Sequence, residues 1–149
     1  MRLACLCLAL TTSGVAFAAD STNVPLDATT LATLPRKPVE AQVHDVALHC
    51  EGVALRDVLR KAGAMSAEPS RGKDLSRVVT VRARDGYRVV FSLAELDATL
   101  GDRAVFVVDR CGGKPLDAKD GPLRLLVPAD KRPARAVRQV ETITVGAAS

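Results

Sequence analysis

Residues 127–138 read VPADKRPARAVR, a short stretch in which Lys131, Arg132, Arg135 and Arg138 crowd together. A guanidinium grips phosphate or carboxylate through paired, charge-assisted hydrogen bonds, and an ammonium adds a mobile point charge. These four residues are therefore the candidate contacts to a bound anion. The same side chains also suit the solvated face of an edge hairpin, where Lys and Arg discourage strand-to-strand aggregation. Both readings stand on the sequence.

Metal and nucleophile chemistry find less to work with. His44 and His49 have Asp45 and Glu51 nearby, yet no H-x-H, H-x-x-x-H or H-E-x-x-H spacing occurs, and zinc needs three or four ligands in fixed geometry. No metal ligand is assigned. No G-x-S-x-G, P-loop or dinucleotide fingerprint appears, Gly112-Gly113 reads as a turn, and no catalytic residue is assigned. Cys50 and Cys111 can form a disulfide, which would close a loop of about 60 residues and stabilise by roughly 4 kcal/mol in the chain-entropy account. Alternatively, Cys50 is a small buried hydrophobe and Cys111 a turn-flanking thiol. Neither belongs to a C-x-x-C pair.

The elements that must position these residues can be read from periodicity. Residues 39–48 alternate apolar and polar and turn near His44 and Asp45 into a second strand ending at Cys50. Leu55, Val58, Leu59 and Ala62 fall at helical spacing, with Gly63 placed to end the helix. Residues 64–76 form a Ser-, Gly- and charge-rich loop. Residues 77–83 and 87–91 are strands joined at Asp85-Gly86. Ser92 to Glu95 reads as a capping box opening a helix to about Leu100. Residues 104–108 are a continuous apolar run, which suits a strand covered on both faces. A turn at 110–114 and strands at 123–127 and 137–145 complete the sheet. The expected fold class is α+β, a mixed strand-rich sheet domain with two short helices.

The first residues address the chain for export. Arg2 supplies a positive n-region, Leu3 to Leu10 an apolar stretch, and Ala16, Phe17 and Ala18 a small-x-small cleavage site. Residues 1–18 are thus a signal peptide, 19–37 an N-terminal tether with at most one helical turn, and 38–146 the domain, with a periplasmic location expected. An oxidising compartment permits the disulfide. No later stretch approaches the roughly 20 apolar residues of a bilayer crossing, so no membrane span is expected. The 21 Lys and Arg barely outnumber the 17 Asp and Glu, and the aromatics beyond residue 18 are Tyr87, Phe91 and Phe106. With only a mild basic excess and no stacking platforms, nucleic acid is not the expected partner.

Four motifs in order resemble the molybdopterin-binding domain of the sulfite-oxidase type. The segment from Cys50 to Leu59 (CEGVALRDVL) fits aromatic-x-G-V-x-L-x-x-L-L except at its first position. Asp85-Gly86-Tyr87 precedes FSLAEL, Gly113 to Leu116 is a G-x-P-L turn, and GPLRLLVP runs into ADKRPAR. The resemblance covers about residues 39–145 and implies a sulfite-oxidase molybdopterin-domain-like fold. It also implies an exported molybdopterin-dependent oxidoreductase acting with a periplasmic redox partner protein. Among the basic residues it places Arg135 best to face a cofactor or an anionic substrate. Two positions depart from the family pattern. Its molybdenum-binding Cys belongs on the strand before the G-V motif, here residues 39–43, which contain none, and Ala136 stands where a Trp is usual. The other reading is a cofactor-free periplasmic binding or accessory module that kept the sheet, lost the metal ligand, and holds a small anion or a partner protein.

Overall fold

The computed structural model describes residues 21–148; the expected signal peptide, residues 1–18, lies outside them. In chain order the strands are β1 (Thr22–Asn23), β2 (Arg36–Val43), β3 (Val46–Ala54), β4 (Arg77–Ala83), β5 (Arg88–Ser92), β6 (Phe106–Cys111), β7 (Lys114–Pro115), β8 (Arg124–Leu126) and β9 (Val140–Ala147). The helices are α1 (Ala28–Ala32), α2 (Leu55–Lys61) and α3 (Leu93–Leu96), with single 3-10 turns at Gly72–Ser76 and Pro133–Arg135. The strands form two sheets, one in the order β1-β9-β4-β5 and the other β2-β3-β6-β7, with β8 also paired to β6. Every pairing is antiparallel.

The expected α+β, sulfite-oxidase-domain-like class is therefore corrected. With 39% strand against 19% helix and three short α-helices in place of two, the fold is mostly β. Periodicity shows which face a strand buries but not which neighbour it takes. The C-terminal apolar segments were expected to complete a single mixed sheet. Instead β8 pairs with β6, whereas β9 pairs with β4 and β1 in the other sheet. The additional helix, α1, forms because the Asp27 carboxylate accepts the Thr30 backbone N–H at 2.8 Å. With β1 paired to β9 and Val24 and Leu31 buried, the segment before β2 packs onto the domain.

Two caps account for the helix lengths. Ser92 Oγ accepts the Glu95 N–H at 3.0 Å, but the Glu95 carboxylate turns away to Arg135 and Arg103 and leaves the expected capping box half-made. The α3 helix then stops at Leu96, short of Leu100, because Asp97 is extended (φ −68°, ψ 130°). Its carboxylate gathers the Ser70 N–H, the Thr99 N–H and the Thr99 hydroxyl, each at 2.7 Å. The hydrogen bond from the Thr99 hydroxyl leads the group that holds Asp97 well below the usual carboxylate range.

One large apolar core joins both sheets to α2 and α3 through Val53, Leu55, Leu59, Val79, Phe91, Leu96, Leu125 and Ile143. Emptying a leucine site there costs about 2–5 kcal/mol. Val107 and Leu125 enter this core, while their chain neighbours Val108 and Leu126 face the opposite side of the second sheet. On that side lies a second cluster of Val39, Val43, Cys50, Val108 and Leu126. Within this sheet β3 and β6 shift register between Glu51 and Gly52. A Cβ on Gly52 would strike the Val107 carbonyl and the Val108 backbone, which is why the G-V motif needs glycine there.

Candidate anion-binding cleft

Arg135 is committed to internal partners. Its Nε and Nη2 donate to the two Asp130 carboxylate oxygens at 2.8 Å each, and its Nη1 donates to Glu95 Oε1 at 3.0 Å. Its guanidinium lies 4.6 Å from the centroid of the buried Phe91 ring. Arg103 closes the cluster at 3.7 Å from Glu95 and 3.6 Å from Asp130, so two guanidinium groups meet two carboxylates. The Asp130 hydrogen bonds raise the Arg135 pKa further above its ordinary value, with Glu95 adding to them. Arg135 in turn lowers that of Asp130. With its charge balanced and its fork occupied, Arg135 welds the basic segment to the core and offers little to a ligand.

A different set of cations surrounds an open cleft of about 1110 Å³. The β2–β3 hairpin contributes Val43, His44, Val46 and Leu48, and the β4–β5 hairpin contributes Tyr87. Lys119, Arg124, Arg132 and Arg138 supply basic groups against the carboxylates of Asp85, Asp117 and Asp120. The Tyr87 hydroxyl donates to the Ala134 carbonyl at 2.5 Å, tying that hairpin to the basic segment. The cleft's apolar wall is continuous with the second cluster, since Val43 belongs to it and Leu48 and Ala136 pack against it.

Arg124 is the central residue of this cleft. It is 6% exposed, and its Nη1 donates to Asp120 Oδ2 at 2.7 Å. Its Nε is buried with no hydrogen-bond partner. Leaving a buried donor unsatisfied costs about 1–3 kcal/mol, and such groups are rare enough in folded proteins to need an explanation. The loop that presents Asp120 is tightly held. Asp117 Oδ1 accepts the Lys119 and Asp120 N–H groups at 2.9 Å each, and the Gln139 amide donates to the Ala118 carbonyl at 2.7 Å. Asp120 also lies 3.9 Å from Arg138 Nε.

The residues read from sequence as anion contacts thus divide. Arg132 and Arg138 line the cleft, Lys131 is exposed and does not, and Arg135 sits in its own ion cluster. Sequence reasoning missed Arg124 as a site residue. The signal was present, because an arginine inside the otherwise apolar run LRLLV needs a reason to be buried. The sequence places Tyr87 at a strand start and in a family motif and His44 at a turn and as a weak metal ligand, without pointing to either as a lining residue of this cleft.

Cys50 and Cys111 are cross-strand partners in the β3–β6 ladder and are joined in a disulfide within the second cluster. A molybdenum-bearing pterin of the sulfite-oxidase type would need a thiolate, and these donors do not fit one. Both described cysteines are bonded to each other, Cys50 is 3% exposed, and among the described residues no group of His, Cys, Asp and Glu is arranged to hold a metal. Among the described residues no helix is long and apolar enough to cross a membrane.

No protein-family model matches this chain, and no curated protein matches it either. The likeness to sulfite-oxidase-type domains rests on the sequence motifs alone.

Proposed function

We propose that the protein is an exported, cofactor-free binding module that holds a small anion in the cleft lined by Arg124, Arg132 and Arg138. The buried Arg124 carries this reading. Asp120 anchors one of its nitrogens while Nε stays unsatisfied, and an oxyanion beside the guanidinium would satisfy it with a charge-assisted bond. Arg132 and Arg138 add charge from the same rim. The volume is ample for a small organic anion, since ligand sites commonly enclose about 300–1,000 Å³. Export rests on the n-region, apolar stretch and cleavage site within residues 1–18.

Calorimetric titration of the mature chain with inorganic phosphate tests the proposal. Saturable binding is expected, weakened about tenfold or more by Arg124→Met and unchanged by Lys131→Ala. Wild-type protein that takes up no phosphate, or Arg124→Met protein that binds as wild type does, rejects it. The oxidoreductase reading, which the ordered motifs favour, makes the opposite prediction for metal content. Stoichiometric molybdenum and pterin on protein purified from the periplasm of a cofactor-competent host would replace the cofactor-free module with that enzyme.

A further inference from the structure

Backbone strain gathers at the cleft. Among the described residues, the non-glycine residues with positive φ are His44 (48°), Asp45 (63°), Asp102 (42°) and Gln139 (48°). His44 and Gln139 line the cleft, and Asp45 completes the two-residue turn that His44 opens between β2 and β3. Left-handed backbone is costly for a side chain that carries a Cβ, and it persists where the surrounding structure or a function maintains it.

Gln139 has a structural reason for its conformation. Its side-chain amide donates to the Ala118 carbonyl, its N–H donates to the Asp120 carbonyl at 2.9 Å, and its own carbonyl accepts the Arg84 N–H at 3.0 Å. Three bonds therefore hold it where the Asp120 loop needs it. His44 has no equivalent. It is exposed at the hairpin tip, and no hydrogen bond within the described residues engages its imidazole. The turn itself gives no reason for histidine either. A two-residue hairpin turn with both φ values positive is best served by Asn-Gly, and at the β4–β5 turn this chain does place glycine, Gly86, at φ 88°. At the β2–β3 tip, which brings an imidazole to the cleft, the easier solution is not used.

We propose that His44 is a ligand-contacting residue of the cleft, its imidazole hydrogen-bonding the same anion that the arginines hold. The contact explains why a His-Asp turn stands where Asn-Gly would fold better. The inference rests on the anion-binding reading and adds the hairpin as a second arm of the site. His49 provides an internal control. It is exposed, lies 3.5 Å from the Glu40 carboxylate, and is not part of the cleft.

The test is an NMR titration of the isotope-labelled mature chain with inorganic phosphate at constant pH and ionic strength, following both imidazoles. The His44 signals should move saturably with the midpoint found by calorimetry, while those of His49 stay still. Two turn variants separate contact from strain. Asp45→Gly should raise the melting temperature by about two to four degrees and leave phosphate affinity unchanged. His44→Gly should raise it similarly and weaken phosphate binding about tenfold. If His44→Gly binds phosphate as wild type does while Arg124→Met loses it, the anion cleft survives and the role of His44 is overturned. If wild-type protein shows no saturable binding, the cleft reading fails and the role of His44 fails with it.

Discussion

Arg124, in an apolar run, and Arg135, in the basic segment that follows it, sit in opposite environments. Arg135 forms a bidentate pair with Asp130, bonds Glu95 and stacks on Phe91 at the edge of the main core. Arg124 is more deeply buried, is paired on one nitrogen and is unsatisfied on another, beside a cleft built over the smaller second cluster. A guanidinium whose three nitrogens each donate to a carboxylate is structural material. One that keeps a buried donor without a partner, beside a concave, cation-lined place, is the candidate for binding. The apolar run around Arg124 marks it as buried, but the supply of nearby carboxylates separates the two cases.

Each half of this contrast can be broken separately. The largest effect is expected on the cleft side, from replacing Cys50 and Cys111 together by alanine. The disulfide spans 61 residues and staples a cluster of only five buried side chains, so its loss should lower unfolding free energy by about 4 kcal/mol in urea titrations. A change below about 1 kcal/mol would show that the second cluster holds the cleft floor unaided. Next, Arg135→Ala should destabilise by roughly 2–3 kcal/mol, because it leaves Asp130 and Glu95 facing each other with only Arg103 for compensation. It should leave phosphate affinity intact. Arg124→Met should do the reverse, with binding reduced about tenfold and stability unchanged or slightly raised, since it removes an orphaned donor. If the two variants exchange phenotypes, the assignment of structural and binding arginines is inverted.

The smallest effect is a dependence on acid. Arg135 holds the Asp130 carboxyl below its ordinary range, and hydrogen bonds led by that of Thr99 do the same for Asp97. A carboxylate whose folded pKa is depressed contributes stability that is fully present above the unfolded value of about 3.9 and disappears as pH falls through the folded value. Unfolding free energy should therefore be insensitive to these groups from neutrality to about pH 5 and should decline below it. In Asp130→Asn protein the decline should be shallower, as checked by denaturant titrations at successive pH values. An equally steep decline in that variant would place the acid sensitivity outside the Arg135 cluster.

The legibility of the chain follows from how local each signal is. The β2–β3 hairpin, the Asp85-Gly86 turn, the α2 helix with its Gly63 stop and the two-faced apolar strand β6 all rest on short-range periodicity or turn chemistry, and all appear near their expected positions. The capping box at Ser92 was half right, because a distant pair of arginines competes successfully for Glu95. The α3 helix ends earlier than expected because the Asp97 carboxylate engages Thr99 two residues on and Ser70, 27 residues back, and its backbone is extended. The fold class failed for the same reason on a larger scale, since strand partnership is a long-range choice.

Composition and pattern determined which segments extend, which coil, and that the C-terminal stretch is rich in cations. They did so because side-chain alternation and turn propensities act within a few residues. The tertiary structure alone decided that two sheets form rather than one. It also decided that Arg135 is neutralised by Asp130 and Glu95 while Arg124 is buried with a donor to spare. Asp130 and Asp120 lie only five and four residues from Arg135 and Arg124, but Glu95 reaches Arg135 from 40 residues away, and the burial that leaves the Arg124 Nε without a partner comes only when remote strands pack.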